Sequence, residues 1–234
     1  MPSINYQKII DLSHLIDQNI PRWAGDPLIE LETVANIAEN KYYLRRFAMG
    51  EHSATHLNAP NTFAGDRPGI DSYQPNSLIV SAVVIDVREK VNQDWDYLLK
   101  IEDVLYWEKF NQTIPDHTMI LIYTGWQYKW YYPQEFLPQD AKGQYHFPGC
   151  ARETAEWLLN ERKIVGMGID THGIDGGLDE DFMTNKLILH NQGLVLENLN
   201  NLHLLPAVNI TLVIGILKLK NGSGSPASVL AFVE

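Results

Sequence analysis

Three scarcities frame this chain of 234 residues. It has one cysteine, Cys150, so no internal disulfide can form and the fold needs no oxidising compartment. Basic residues are few: 18 Lys and Arg against 29 Asp and Glu leave a formal charge of −11. With no concentrated basic stripe to offset that charge, a phosphate backbone would be repelled, and nucleic acid is not an expected partner. No apolar run approaches the ~18 residues of a membrane span. The opening Met1 to Lys8 has no basic region, apolar stretch or cleavage site of a signal peptide, so a cytoplasmic location is expected and a membrane partner is not. Catalytic signatures are missing too. There is no GxSxG elbow, and Cys150 follows a Pro-Gly turn without an adjacent histidine, so a nucleophilic mechanism is not expected. Gly222-Ser223-Gly224-Ser225-Pro226 lacks the lysine and helix of a phosphate loop and reads as a loop before the last strand.

With 45% hydrophobic residues the chain can bury one sizeable core, and without repeats or linkers the expectation is a single domain over 1–234. Short, β-branched apolar runs at 81–87, 118–124, 164–169, 194–196 and 210–217 read as strands buried on both faces. Residues 150–163 place Ala151, Ala155, Leu158 and Leu159 on one face of a helix, and a second helix at 181–190 stops at Asn191-Gln192-Gly193. The expected class is α/β, with a mixed sheet and flanking helices. The aromatic stretch 128–133 would cover a pocket, form an oligomer contact or pack over a core edge.

His52 and His56 stand four apart in a run from Gly50 to Pro60. On a regular strand the two rings would lie roughly 13 Å apart, too far to share an ion. Pro60 disfavours helix before it, and Ser53 and Thr55 favour local bonds to the backbone, which predicts an irregular loop that folds both imidazoles inward. A metal site competes here with a plain pair of hydrogen-bonded histidines. Glu197 interrupts the apolar run 194–199, where an ionised carboxylate needs a cation or several donors. His172 leaves a strand into a glycine-rich turn as a ligand, an acid/base or a loop-ordering residue, while Asp170 and Asp175 read as turn-stabilising carboxylates. Trp23, between two turn prolines, and Trp126, after a strand, would wall an aromatic ligand or pack in the core.

Together these segments resemble the cyclase superfamily, which includes arylformamidase (kynurenine formamidase) and isatin hydrolase. Asp11-Leu12-Ser13-His14, Trp23-Ala24-Gly25-Asp26-Pro27, His52-Ser53-Ala54-Thr55-His56-Leu57-Asn58-Ala59-Pro60, Gly168-Ile169-Asp170-Thr171, Leu196-Glu197-Asn198-Leu199 and Gly224-Ser225-Pro226 match in order. The third looks like the superfamily's HxGTHxDxPxH motif. The resemblance implies a swivelling β/β/α architecture and a hydrolase that activates water against an amide, aryl formamide or lactam. It also implies one divalent metal, Zn or Mn, with His52, His56, Asn58 and Glu197 as its ligand set. His172 and Glu197 would be catalytic, and Trp23, Trp126 and Thr62 would bind a small, aromatic substrate. Three positions depart from the motif ligands: Asn58 replaces an aspartate, Thr62 a histidine, and Asn185, twelve residues before Glu197, a second histidine. Each change removes a strong ligand or proton carrier. A metal-independent lyase, dehydratase or isomerase run by histidine and glutamate, and a non-catalytic scaffold of the same fold, therefore remain as alternative expectations. Relatives of this kind imply a homodimer or homotetramer.

Overall fold

The apolar runs become strands because their β-branched side chains can be buried on both sides of a sheet. A computed structural model describes residues 5–234; the first four residues, part of the stretch read for a targeting signal, lie outside the described residues. In chain order the strands are β1 (Lys8–Asp11), β2 (Glu30–Ala35), β3 (Leu44–Ala48), β4 (His56–Asn58), β5 (Ile79–Asp86), β6 (Leu98–Leu99), β7 (Thr118–Tyr123), β8 (Gly149–Cys150), β9 (Gly166–Ile169), β10 (Leu194–Glu197), β11 (Ile210–Ile216) and β12 (Gly224–Val233). Eight of them form one mixed sheet in the order β1-β12-β11-β5-β7-β9-β10-β4. β5, β7, β9 and β10 run parallel, and the others pair antiparallel. The start of β12 also pairs with β4, so the strand order closes on itself.

Both faces of the parallel strands are covered. Val83, Ile85, Ile120, Ile122, Met167, Ile169 and Val195 belong to one apolar cluster, and Ala82, Val84, Met119, Leu121, Leu194 and Leu196 to another. That alternation is the strand period of two expressed as two cores. The helices Arg152–Glu161 and Met183–His190 lie within the spans expected from the sequence. A third, Ile101–Phe110, was not expected. Its signal is weak because Lys100 precedes it instead of a capping Ser, Thr, Asp or Asn; the Asp103 side chain accepts from Lys100 N at 2.9 Å in their place. β2 and β3 form a separate hairpin with little burial. Among the described residues no helix is long and apolar enough to cross a membrane.

Two features place the chemistry. The parallel strands β9 and β10 end at Ile169 and Glu197, so Asp170 to Asp175 and Glu197 emerge at one edge of the sheet. Register then sets β4 beside them, with Glu197 opposite His56 in the β10 pairing, and Pro226 opposite His56 and Gly224 opposite Asn58 in the β12 pairing.

Candidate active site

The histidine segment is part loop and part strand. Gly50 to Thr55 turn, and His56 begins β4. The turn uses Ala54 at a φ of 55°, a left-handed conformation that costs any residue with a Cβ about 1–2 kcal/mol. Through it the two rings meet edge to face, with centroids 5.2 Å apart, far closer than a regular strand would place them.

His56 and Glu197 form the buried centre, with side chains 1% and 6% exposed. His56 Nδ1 lies 2.9 Å from the Ala54 carbonyl, which can only accept, so the proton sits on Nδ1. Nε2 then points its lone pair at Glu197 Oε2, 3.0 Å away, and makes no hydrogen bond. Burial alone would raise the Glu197 carboxyl, but a protonated His56 ring, the Ile174 N–H and the Asn185 amide each lower it and together outweigh burial. Two lone pairs facing one another at that distance repel unless a proton or a cation lies between them.

The other Glu197 oxygen begins a chain of hydrogen bonds. Asn185 Nδ2 donates to Glu197 Oε1 at 2.8 Å, and Asn58 Nδ2 donates to Asn185 Oδ1 at 3.1 Å. Because a carboxylate only accepts, both amide orientations follow, and Asn58 Oδ1 must accept from His52 Nδ1 at 2.9 Å. His52 Nε2 lies 2.9 Å from Ser223 Oγ. Burial, then the nearby His56, lowers the His52 basicity. Asn185 owes its place to Asp175, whose Oδ1 accepts from Thr184 N at 2.6 Å and Asn185 N at 3.2 Å at the start of the Met183–His190 helix. Burial raises Asp175 to about 6.

His172 borders this centre. Asn198 Nδ2 donates toward its Nδ1 at 3.4 Å, which leaves its proton on Nε2. Burial first, and the neighbouring His56 second, depress it to about 4, so at neutral pH it is an uncharged hydrogen-bond donor and not an acid held in its cationic form. Its ring stacks on Trp23, with centroids 5.3 Å apart and planes 18° from parallel, and Trp23 leans on Tyr145 at 4.0 Å.

Not every sequence candidate converges here. The Trp126 indole is 2% exposed, donates to the Phe136 carbonyl at 2.8 Å and packs edge to face on Trp95, in the core position that the sequence left open as its alternative. Thr62 Oγ1 donates toward the Ala59 and Ser223 carbonyls, each at 2.6 Å, so it is held as a loop clamp beside Ser223. Asp170 ties strand ends together by accepting from Thr124 N at 2.9 Å and Thr124 Oγ1 at 2.7 Å. His190 is exposed and lies over Lys186 O. Glu51 and Ser223 escaped sequence reasoning. Ser223 N and Oγ both donate to Glu51 Oε2 at 2.7 Å, across 172 positions of chain, and no local pattern marks that contact.

A divalent cation fits one place, the facing His56 Nε2 and Glu197 Oε2, where the tautomer set by Ala54 turns a bare lone pair toward a carboxylate. His52 and Asn58 stand beside it but bond to each other. Among the described residues no group of three or more His, Cys, Asp or Glu is arranged to hold a metal, because amides occupy positions 58 and 185.

Kinship places this closed mixed sheet, with its buried histidine–glutamate pair at the edge, among the hydrolases. The chain belongs to the Cyclase family, which matches residues 10–176. It is 32% identical to isatin hydrolase of Roseibium aggregatum over 193 residues, 79% of this chain and 73% of that one. It is 29% identical to kynurenine formamidase of Geobacillus thermodenitrificans over 227 residues, 93% of each. The structure of isatin hydrolase A from Ralstonia solanacearum superposes with a TM-score of 0.92 at 29% identity, covering 97% of this chain and 92% of that one.

Proposed function

We propose that this protein hydrolyses the C–N bond of a small amide, aryl formamide or lactam that carries an aromatic ring. The observation that carries the reading is the cross-strand pair His56 and Glu197, whose buried Nε2 and Oε2 face one another at 3.0 Å without a hydrogen bond. His56 and Glu197 would hold one divalent cation, with His52 and Asn58 alongside, and an imidazole nitrogen with a carboxylate oxygen suits Zn²⁺ or Mn²⁺. When bound, such a cation supplies Lewis acidity and lowers the pKa of water. The protein's own groups do the rest. Trp23 offers an aromatic face held by Tyr145, and the uncharged His172 donates a hydrogen bond from Nε2–H to a carbonyl oxygen. Glu197, ionised well below neutral pH, accepts protons from the attacking side.

A homodimer or homotetramer is part of this reading. The hairpin of β2 and β3 exposes Val34, Tyr42, Tyr43 and Phe47, each about half accessible, and an isolated hairpin is marginal in water without a covering surface. A cytoplasmic location accords with the lone, buried Cys150. The test is a panel of isatin, an N-formylated aromatic amine and simple aryl esters, run after dialysis against chelator and again with added Zn²⁺ or Mn²⁺. Turnover restored by one metal is the expected result. Turnover that chelation leaves untouched would point to the metal-independent alternative, and no turnover of any amide would defeat the reading.

A further inference from the structure

We propose that the cleft at the ends of β5 and β7 is a second ligand site, which takes a planar aromatic carboxylate with its anion on Lys129. The proposal goes beyond the hydrolytic reading, because none of His52, His56, Asn58, His172 or Glu197 lines this cleft.

The cleft stands where parallel strands leave room for a ligand. β5 and β7 end at Asp86 and Tyr123, and the turns that follow them, at Val87-Arg88 and Thr124-Gly125, form part of the lining. The Ile101–Phe110 helix contributes Tyr106, Trp107 and Phe110. The volume is about 1070 Å³, at the top of the roughly 300–1,000 Å³ usual for small-molecule pockets.

Lys129 is the cation in the lining that lacks a partner. Arg88 is paired with Asp86 at 2.7 Å, and Lys90 with Asp103. Lys129 Nζ is buried and, among the described residues, makes no hydrogen bond, although an ammonium carries three donors. It lies against two indole faces instead, 3.2 Å from the Trp126 ring centroid and 3.9 Å from that of Trp95. Burial lowers the amine to about 8 and Glu135 opposes that shift, so the group stays cationic at neutral pH. A buried ammonium with unused donors is costly, and an incoming carboxylate relieves it through charge-assisted hydrogen bonds. Glu89 also lines the cleft, but it is exposed to water, where its charge is screened. One unpaired cation matches one negative charge, which favours a carboxylate over a phosphate monoester.

The two indoles differ in freedom. Trp126 is 2% exposed and donates from Nε1 to the Phe136 carbonyl at 2.8 Å, whereas Trp95 is 52% exposed. Trp95 is therefore the cover, and a flat ring reaches the ammonium by taking its place on the solvent side. Tyr106, Phe110 and Tyr128, also in the lining, leave further aromatic faces open to solvent, and these suit a planar ligand.

The test titrates 2-naphthoate into the full-length protein by calorimetry, beside its uncharged analogue 2-naphthalenemethanol. The carboxylate is expected to bind at least about tenfold more tightly than the alcohol. Lys129→Met, whose unbranched stem still fills the space between the indoles, should lose at least about tenfold in naphthoate affinity. Trp23→Ala should bind naphthoate as the parent does, because that ring belongs to the hydrolytic centre. A second measurement reads the site in the unaltered chain: a carbodiimide couples bound naphthoate to a lysine, the carboxylate oxygen leaving in the urea as an amide forms on Nζ. Peptide mass spectrometry is expected to find a saturable adduct on Lys129. Absence of that adduct overturns the proposal even if Lys129→Met fails to fold. Equal affinity for the alcohol, or equal naphthoate affinity in Lys129→Met, would overturn it as well. Binding lost in Trp23→Ala and kept in Lys129→Met would place the ligand at the hydrolytic centre instead.

Discussion

His56 Nε2 and Glu197 Oε2 stand 3.0 Å apart in the interior, joined by strand register and not by a hydrogen bond. The pair needs a cation or a proton, and it behaves as a unit. Removing one partner strands the other in a dry site, a change that typically costs about 3–5 kcal/mol. His56→Ala is therefore expected to lower the denaturation midpoint sharply. Glu197→Gln, which keeps the shape and removes the charge, should abolish divalent-cation binding in a calorimetric titration while losing less stability. Equal cation affinity in Glu197→Gln and the parent would show that the pair does not hold the metal.

The amides at 58 and 185 make a further prediction. In Asn58→Asp the bond that Asn58 Nδ2 gives to Asn185 Oδ1 at 3.1 Å is replaced by two facing acceptors, and a second negative charge enters beside Glu197. The metal-free protein should melt lower, and its affinity for Zn²⁺ or Mn²⁺ should rise by about tenfold or more, since a carboxylate binds a cation better than an amide does. Titration and melting curves with and without metal read both effects. A variant no less stable without metal would contradict the amide chain.

Ala54 holds a φ of 55° in a position where the superfamily motif has glycine. Ala54→Gly should relieve that strain and raise stability by about 0.5–1 kcal/mol, the usual gain when a left-handed residue loses its Cβ. Urea denaturation measures it. A loss of stability would mean that burial of the Ala54 methyl, only 2% exposed, outweighs the backbone.

His14 links stability to pH. Its ring stacks on Trp130 at 3.9 Å with neither nitrogen hydrogen-bonded, and burial depresses it from 6.5 to about 3. Above pH 6.5 both folded and unfolded states are neutral there and the group is silent. Between 6.5 and 3 the unfolded chain binds the proton that the folded state refuses, so stability falls with pH, by about 2 kcal/mol on reaching pH 5. His14→Phe, which keeps the stack, should flatten that part of the stability profile. An unchanged slope would place the acid sensitivity elsewhere.

The two tryptophans should separate binding from folding. Trp23→Ala is expected to raise KM about tenfold with a smaller effect on kcat, because it removes the aromatic face beside His172. Trp126→Ala empties a buried core position and should cost about 3–5 kcal/mol, with KM unchanged in the folded fraction. The reverse pattern would return Trp126 to the substrate pocket.

Much of the fold was legible in the chain because strand burial leaves a local mark. The runs at 118–124 and 210–217 became β7 and β11 with ends shifted by one residue, and the helix expected at 150–163 formed at Arg152–Glu161. The Ile101–Phe110 helix was missed because its cap comes from Asp103, inside the helix, in place of a capping residue before it. His56 and Glu197 were legible as candidates through their residue types and setting. Their pairing was not, since 141 positions separate them and only the β4 and β10 register brings them together.

Sequence alone determined the class, the two buried faces of the strands and the histidine pair, because these are matters of composition and short-range period, while the resemblance to the superfamily motif marked Asn58 and Asn185 as replacements of an acidic and an imidazole position. Tertiary structure decided what those asparagines do. Amide direction is set by the carboxylate at one end of the chain, Glu197, and is felt at the other by His52, so the aim of that ring at Ser223 depends on contacts spanning 12, 127, 6 and 171 positions in turn. Hydrogen-bond polarity passes through space from donor to acceptor, and no window along the chain contains it.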